Sequence, residues 1–238
     1  MATIASRLQE VERRIARACA AAGRGVDSVT LLAVSKTFAA DRVREAHVAG
    51  QRRFGENYVQ EALAKIDALA DLRAGIEWHL IGPLQSNKTR VVAERFDWAH
   101  SVDRLKLAER LSAQRPPGLA PLQVCLQVNI SGEASKSGLA PADVPALARA
   151  VAGLPGLVLR GLMAIPEPGG DVAAMRRPHR ALRELLAALQ REPGLAGLDT
   201  LSMGMSTDLE AAIAEGATIV RVGTAIFGER ALTVRDGV

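Results

Sequence analysis

The feature that most constrains how this chain can fold is an alternation. Short apolar or β-branched runs occur at residues 29–36 ("VTLLAVSK"), 52–57 ("RRFGEN"), 77–84 ("EWHLIGPL") and 98–103 ("WAHSVD"). Four more follow at 122–130 ("LQVCLQVNI"), 157–165 ("LVLRGLMAI"), 200–206 ("TLSMGMS") and 218–228 ("TIVRVGTAIFG"). Between them, segments such as "DRVREAHVAG", "NYVQEALAKIDALADL" and "RLKLAERLSAQ" return apolar residues every three or four positions, as a helix with one buried face does. Eight strand–helix units in 238 residues predict an α/β fold, a (β/α)8 TIM barrel, as a single domain over 1–238 with one extra N-terminal helix. The rival, a doubly wound open sheet, would carry a Gly-rich dinucleotide turn after the first strand, and none is present. Punctuation agrees. Gly50 and Gly216 stand where helix C-caps are expected, "TDLE" at 207–210 has capping-box spacing, and the Pro/Gly-rich "RPPGLAP" and "PEPGGD" read as loops between units.

Composition narrows the function classes. A formal charge of +4 with arginines interspersed among acids describes a solvated surface, and with 3% aromatic residues there is no basic stripe with stacking platforms for nucleic acid. No apolar run approaches the roughly 20 residues that cross a bilayer. The N-terminal segment carries charges throughout, unlike a signal peptide, so the expectation is a cytoplasmic protein with no membrane or nucleic-acid partner. Cys19 and Cys125 share no metal or redox spacing, and Cys125 reads as a buried small hydrophobe. The four histidines lack metal-site spacing, so no metal is expected.

A TIM barrel carries its chemistry at the C-terminal ends of its strands. Lys36 ends the first run, Asn57 the second and Ser206 the seventh; Asn129 is near the end of the fifth, and Arg221, Gly223 and Thr224 lie in or just beyond the eighth. By itself Lys36 reads as a lysine snorkelling where a strand meets solvent. At the mouth of a barrel its amine could instead be desolvated and condense with a carbonyl ligand as a Schiff base. The loops after the seventh and eighth strands of such barrels often cradle phosphate. Here they supply Gly204, Ser206, Gly223 and Thr224, although glycines can also merely relieve crowding and Ser206 merely cap a helix. An amine and a phosphate cradle together describe a receptor for a phosphorylated aldehyde, pyridoxal 5′-phosphate (PLP). Arg221, two residues before Gly223 and on the same strand face, would lie beside the pyridine nitrogen, where a group that only donates hydrogen bonds weakens the electron sink. The alternative is an arginine in an ion-pair network.

The motifs "LLAVSKT", "RRFGENYVQEAL", "EWHLIGPLQSNKTR", "HSVDRLKLAERL", "VNISGEASKSG", "LRGLMAIPEP" and "LSMGMSTDLEAAIAEGATIVRVGTAIFGER" resemble the pyridoxal phosphate homeostasis proteins, which are similar to the N-terminal barrel of alanine racemase. The resemblance runs from about residue 5 to residue 230. It implies a fold-type III barrel with PLP on Lys36, phosphate contacts from Ser206, Gly223 and Thr224, Arg221 at the pyridine nitrogen and Asn57 lining the pocket. It also implies a role in intracellular PLP (vitamin B6) and amino-acid homeostasis without efficient turnover, with apo-enzymes that use PLP as recipients. In "MRRPHRALRELLAAL" the chain departs from the family's pattern of uninterrupted helix, and Pro178 is expected to begin the helix there.

The competing function is a small PLP-dependent racemase or decarboxylase. Related racemases supply a tyrosine base from a second, β-rich domain, and this sequence stops after the eighth unit; a monomer is the corresponding expectation. Tyr58, the one tyrosine, follows Asn57 at a helix start, where packing is the expected job, and His79 is expected to be a satisfied barrel histidine. Lys136, in "SGEASKSG" after the fifth strand, is either a solvated loop lysine or a transient second amine for cofactor loading and release.

Overall fold

The computed structural model describes residues 2–132, 137–166 and 171–229. A first helix, α1 (Ile4–Ala21), precedes β1 (Thr30–Val34), α2 (Ala40–Val48), β2 (Arg53–Glu56), α3 (Val59–Ala68), β3 (Glu77–Leu80), α4 (Thr89–Arg95), β4 (Trp98–Val102) and α5 (Leu105–Gln114). The order continues through β5 (Leu122–Gln127), α6 (Val144–Ala152), β6 (Leu157–Met163), α7 (Val172–Leu189), β7 (Thr200–Ser202), α8 (Leu209–Ala214), β8 (Ile219–Val222) and the single turn α9 (Thr224–Phe227). Each strand pairs in parallel with the next, and β1 pairs with β8, so the sheet closes into a barrel ringed by helices.

Local chemistry explains the elements. Thr3 Oγ1 accepts from Ser6 N and starts α1, whose Ile4, Leu8, Val11 and Ile15 form one buried stripe packed toward α8 and α9. Burying each is worth about 2 kcal/mol before entropy is charged against it. Along the strands, side chains alternate. Leu32, Val34, Ile81, Trp98, Cys125, Met163 and Ile219 form a cluster inside the barrel, whereas Ala33, Phe54, Trp78, Leu80, Val124 and Leu126 pack beneath the helices. Cys125 is buried as expected, and burial pushes its thiol up to about 12. Gly50 and Gly216 follow the ends of α2 and α8 with φ of 107° and 96°, the left-handed conformation that closes a helix.

The sequence expectations need correction at several places: β3, β5 and β6 end at Leu80, Gln127 and Met163, short of the runs at 77–84, 122–130 and 157–165, because the chain leaves the sheet for the loops at the mouth. β7 stops at Ser202, because Gly204 turns to φ 90° and Met205 N donates to Asp208 Oδ1; Ser206 lies in the turn beyond. The eighth run is not extended to residue 228: β8 ends at Val222, and Thr224–Phe227 form α9. Asp208, not Thr207, stands at the N-cap of α8, and its carboxylate makes no cap bond because it is engaged by Met205 N and His179 Nε2. Pro178 lies inside α7 and does not begin it. Asp171 caps the helix by accepting from Ala174 N, and burial of His179, Leu182, Leu186 and Leu189 offsets the backbone bond that a mid-helix proline forfeits.

The ring is clamped at one point that makes a pH prediction. Glu215, at the end of α8 and 1% exposed, pairs with Arg176, Arg180 and Arg183, which share one face of α7. Burial raises its pKa, but the hydrogen bonds from Arg180 and Arg176 outweigh it and the net shift is downward from 4.5. A lowered carboxyl stabilises the fold above its unfolded value, and the benefit disappears as pH falls through the folded value. Urea unfolding of Glu215→Gln is therefore expected to show a loss of about 1–3 kcal/mol at neutral pH that shrinks below about pH 4.5. A pH-independent difference would contradict the clamp.

Candidate functional site

Strand register brings the predicted residues to one mouth of the barrel. Val34 pairs with Gly55, Ala33 with Val222, and Ser202 with Ile219. Lys36, Asn57 and Ser206 lie beyond the C-terminal ends of β1, β2 and β7, and Gly223 and Thr224 just past β8, so all of them belong to the same mouth. Stacking of Phe38 on Phe227 at 5.1 Å ties the segment after β1 to α9. Lys36, Asn57, Ser206 and Gly223 are half-buried and Thr224 is exposed, whereas Arg221 is 4% exposed and points into the barrel below them. Asn129 lies two residues beyond β5 at the same mouth, where a cavity of about 210 Å³ runs from Asn57 past Ile81 and Gly82 to Gln127, Asn129 and Ile165. Lys36 lies two residues beyond the last residue of β1, so it stands on a turn and not on the strand end itself. Lys136 lies outside the described residues.

What holds that turn was not evident from the sequence. Thr37 sits at φ 68°, a strained conformation for a β-branched residue. Beneath it, Lys65 of α3, 4% exposed, donates through Nζ to Ser35 O, Glu56 Oε1 and Glu61 Oε1. Ser35 Oγ donates to the same Glu56 oxygen at 2.6 Å, and Glu61 also accepts from Thr37 N. The residues on either side of Lys36 are thus bonded to one buried cluster, which orients its backbone. Burial pushes the Glu56 carboxyl up, against the pull of Lys65. The sequence signal was a glutamate and a lysine at inward positions of otherwise apolar patterns, "FGEN" and "EALAKI".

Arg221 has no carboxylate on it. Nη1 donates to Ser202 O (2.6 Å) and Ser202 Oγ (2.9 Å), and Nη2 donates to Ala164 O (2.9 Å). An ion-pair role is therefore not what the geometry gives. Burial lowers its pKa to about 10, opposed by the charge of Asp208. Among the described residues Nε and the second Nη2 hydrogen make no hydrogen bond, so they could serve a ligand. His79 is a satisfied barrel histidine as expected, bonded at both nitrogens and stacked on Trp98 at 5.2 Å. Tyr58 does not pack: it stands at the N-cap position of α3 at 59% exposure.

Close approach at Gly82 shapes the cavity. A Cβ there would stand 2.2 Å from Asn57 O and 2.6 Å from Asn57 Cα, so only glycine lets the two loops meet. Gly82→Ala is expected to push Asn57 out of place at a cost of about 2 kcal/mol, lowering the thermal midpoint by about 4–8 °C. An unchanged midpoint would contradict that contact.

The family model described as "Alanine racemase, N-terminal domain" matches residues 6–231. The chain is 64% identical over 230 residues to the pyridoxal phosphate homeostasis protein of Pseudomonas aeruginosa, with 97% of both chains covered. The chain belongs to the pyridoxal phosphate homeostasis protein family. Its relative in Escherichia coli is 53% identical over 232 residues, covering 97% of this chain and 98% of the other. Among solved structures, PipY of Synechococcus elongatus PCC7942, known with and without PLP bound, is 42% identical and covers 95% of this chain and 100% of PipY, at TM-scores of 0.83 and 0.84. Alanine racemase from Corynebacterium glutamicum, 18% identical with a TM-score of 0.68, shares the fold; the match covers 97% of this chain and 62% of the racemase. Among the described residues no helix of this family member is long and apolar enough to cross a membrane.

Proposed function

We propose that this chain binds PLP covalently through Lys36 and holds it for intracellular vitamin B6 and amino-acid homeostasis, without efficient catalytic turnover. What supports this reading is that Lys36, Asn57, Ser206 and Gly223 all follow the C-terminal ends of strands at one mouth, with Arg221 buried in β8. The donor set fits the cofactor. The Lys36 amine suits an aldehyde, and the loops after β7 and β8 carry the Ser206 and Thr224 hydroxyls and, at Gly223, a point where a phosphate could approach the backbone closely. A Cβ on Gly223 would stand 3.1 Å from Val34 O and crowd that gap. The 42% identity to PipY, solved with PLP bound, supports the same ligand.

Bound PLP would supply an electron sink for reactions at an amino-acid α-carbon. The residues at this mouth are arranged to hold it more than to use it. Arg221 could donate to the ring nitrogen of bound PLP and could not accept from it, which would leave that nitrogen unprotonated and the sink weak. A racemase needs an acid/base group across the cofactor from the lysine. Tyr58 is 59% exposed at the N-cap of α3, His79 and His100 are buried with both nitrogens bonded, and His179 is held by Asp208. We read the chain as a monomer that exchanges PLP with apo-enzymes. Titrating PLP into cofactor-stripped protein is expected to give a saturable visible absorption band at one PLP per chain, with alanine and serine racemisation at background. Steady-state racemisation that vanishes in Lys36→Ala would favour the enzyme reading instead.

A further inference from the structure

A continuous polar chain runs through the apolar interior of the barrel. Arg221 Nη1 donates to Ser202 Oγ (2.9 Å), which lies 2.8 Å from His100 Nδ1. His100 Nε2 lies 2.9 Å from His79 Nδ1, and His79 Nε2 lies 2.8 Å from Glu77 Oε1. The path passes from β8 to β7, crosses the barrel to β4 and ends on β3. It joins the mouth beneath Lys36 to the opposite mouth, where Glu77, the first residue of β3, lines a cavity of about 400 Å³ with Arg53, Arg160 and Asp199. Ser202, His79 and His100 are fully buried.

Both ends of this chain are chemically one-way. A guanidinium can only donate and a carboxylate can only accept, while a neutral imidazole donates at one nitrogen and accepts at the other. Starting from Glu77, His79 must donate from Nε2 and accept at Nδ1. His100 must then donate from Nε2 and accept at Nδ1, which leaves Ser202 to donate its hydroxyl to His100 and accept from Arg221. Every proton is assigned, and the two ends agree. Neutral rings are what the surroundings favour: burial lowers the pKa of His79, and burial with the charges of His79 and Arg221 holds His100 well below its ordinary value. Glu77 stays ionised, because its hydrogen bond to His79 outweighs burial.

We propose that Glu77, His79, His100 and Ser202 form a one-way hydrogen-bond relay that holds Arg221 as a fixed donor beneath the cofactor and couples that mouth to the opposite one. The proposal rests on the reading of Arg221 as the neighbour of the PLP ring. A buried cation is costly unless its donors are satisfied, and Asp208 is the carboxylate whose charge bears on Arg221. The aligned neutral groups add to this by fixing which hydrogen bonds Arg221 makes from below. His100 and Ser202 are then positioning residues for the cofactor.

The test is ¹⁵N–¹H correlation NMR of the histidine side chains, first on cofactor-free protein. Both rings are expected as neutral Nε2–H tautomers across about pH 6–8. Glu77 is partly exposed at a strand start, so its variants should fold. Glu77→Leu removes the terminal acceptor and should switch His79 and His100 toward Nδ1–H, whereas Glu77→Gln keeps an acceptor and should keep the tautomers. In the PLP-loaded protein Glu77→Leu should shift the absorption band and weaken PLP binding about two- to threefold. Nδ1–H or titrating rings in the unmodified protein, tautomers indifferent to Glu77→Leu, or a loaded spectrum that it leaves unmoved would each overturn the proposal. Rings that behave as stated in a protein that binds no PLP would overturn the functional reading and leave the relay standing.

Discussion

Lys36→Ala will abolish borohydride-dependent attachment of a pyridoxyl group while leaving the barrel folded. Lys36 is half-buried on a turn beyond β1, so its loss should change stability by no more than about 1 kcal/mol. The phosphate loop and Arg221 remain, so PLP should still bind, but without the covalent link the affinity should fall on the order of a hundredfold, or about 2.7 kcal/mol. Equilibrium dialysis with PLP, alongside mass spectrometry after reduction, separates the two effects. Undiminished labelling in Lys36→Ala would move the attachment point elsewhere.

Lys65→Met should have the largest effect on stability. Lys65 is the shared cation for Glu56 and Glu61, and its removal leaves the fully buried Glu56 carboxylate without a counter-charge. Breaking one partner out of a buried pair costs about 3–5 kcal/mol, which lowers the thermal midpoint by about 6–20 °C in a chain of this length. The turn around Thr37 should loosen with it, since Ser35 O and the Glu61 contact to Thr37 N depend on the same cluster. Adding Glu56→Gln should recover more than half of the loss, because the stranded charge is then gone. A double-mutant cycle by urea unfolding measures that coupling, and additive losses would contradict it.

The barrel was legible because its signal is repetitive: eight runs with helical segments between them constrain the topology even where single boundaries err. The placement of Lys36, Asn57 and Arg221 toward one mouth was legible because strand ends have fixed meaning in such a barrel. Boundaries of the last two strands were not, since they depend on Gly204 adopting a left-handed φ and on Asp208 capturing Met205 N, which no periodicity encodes. Tyr58 was misjudged because an aromatic next to a pocket residue packs only if its cap position turns it inward. The buried polar residues were hidden for a different reason. His100 and Ser202 look like interruptions in "WAHSVD" and "TLSMGMS", and their partnership spans 102 residues and the width of the barrel. Polar groups inside apolar runs announce that a partner exists without naming it.

The central claim is that Lys36 carries the cofactor. Borohydride reduction of the PLP-loaded protein followed by peptide mapping tests it most directly. The account predicts one pyridoxyl group per chain, on the peptide containing Lys36; labelling on Lys65, Lys88 or another lysine, or no labelling of a yellow protein, would contradict it.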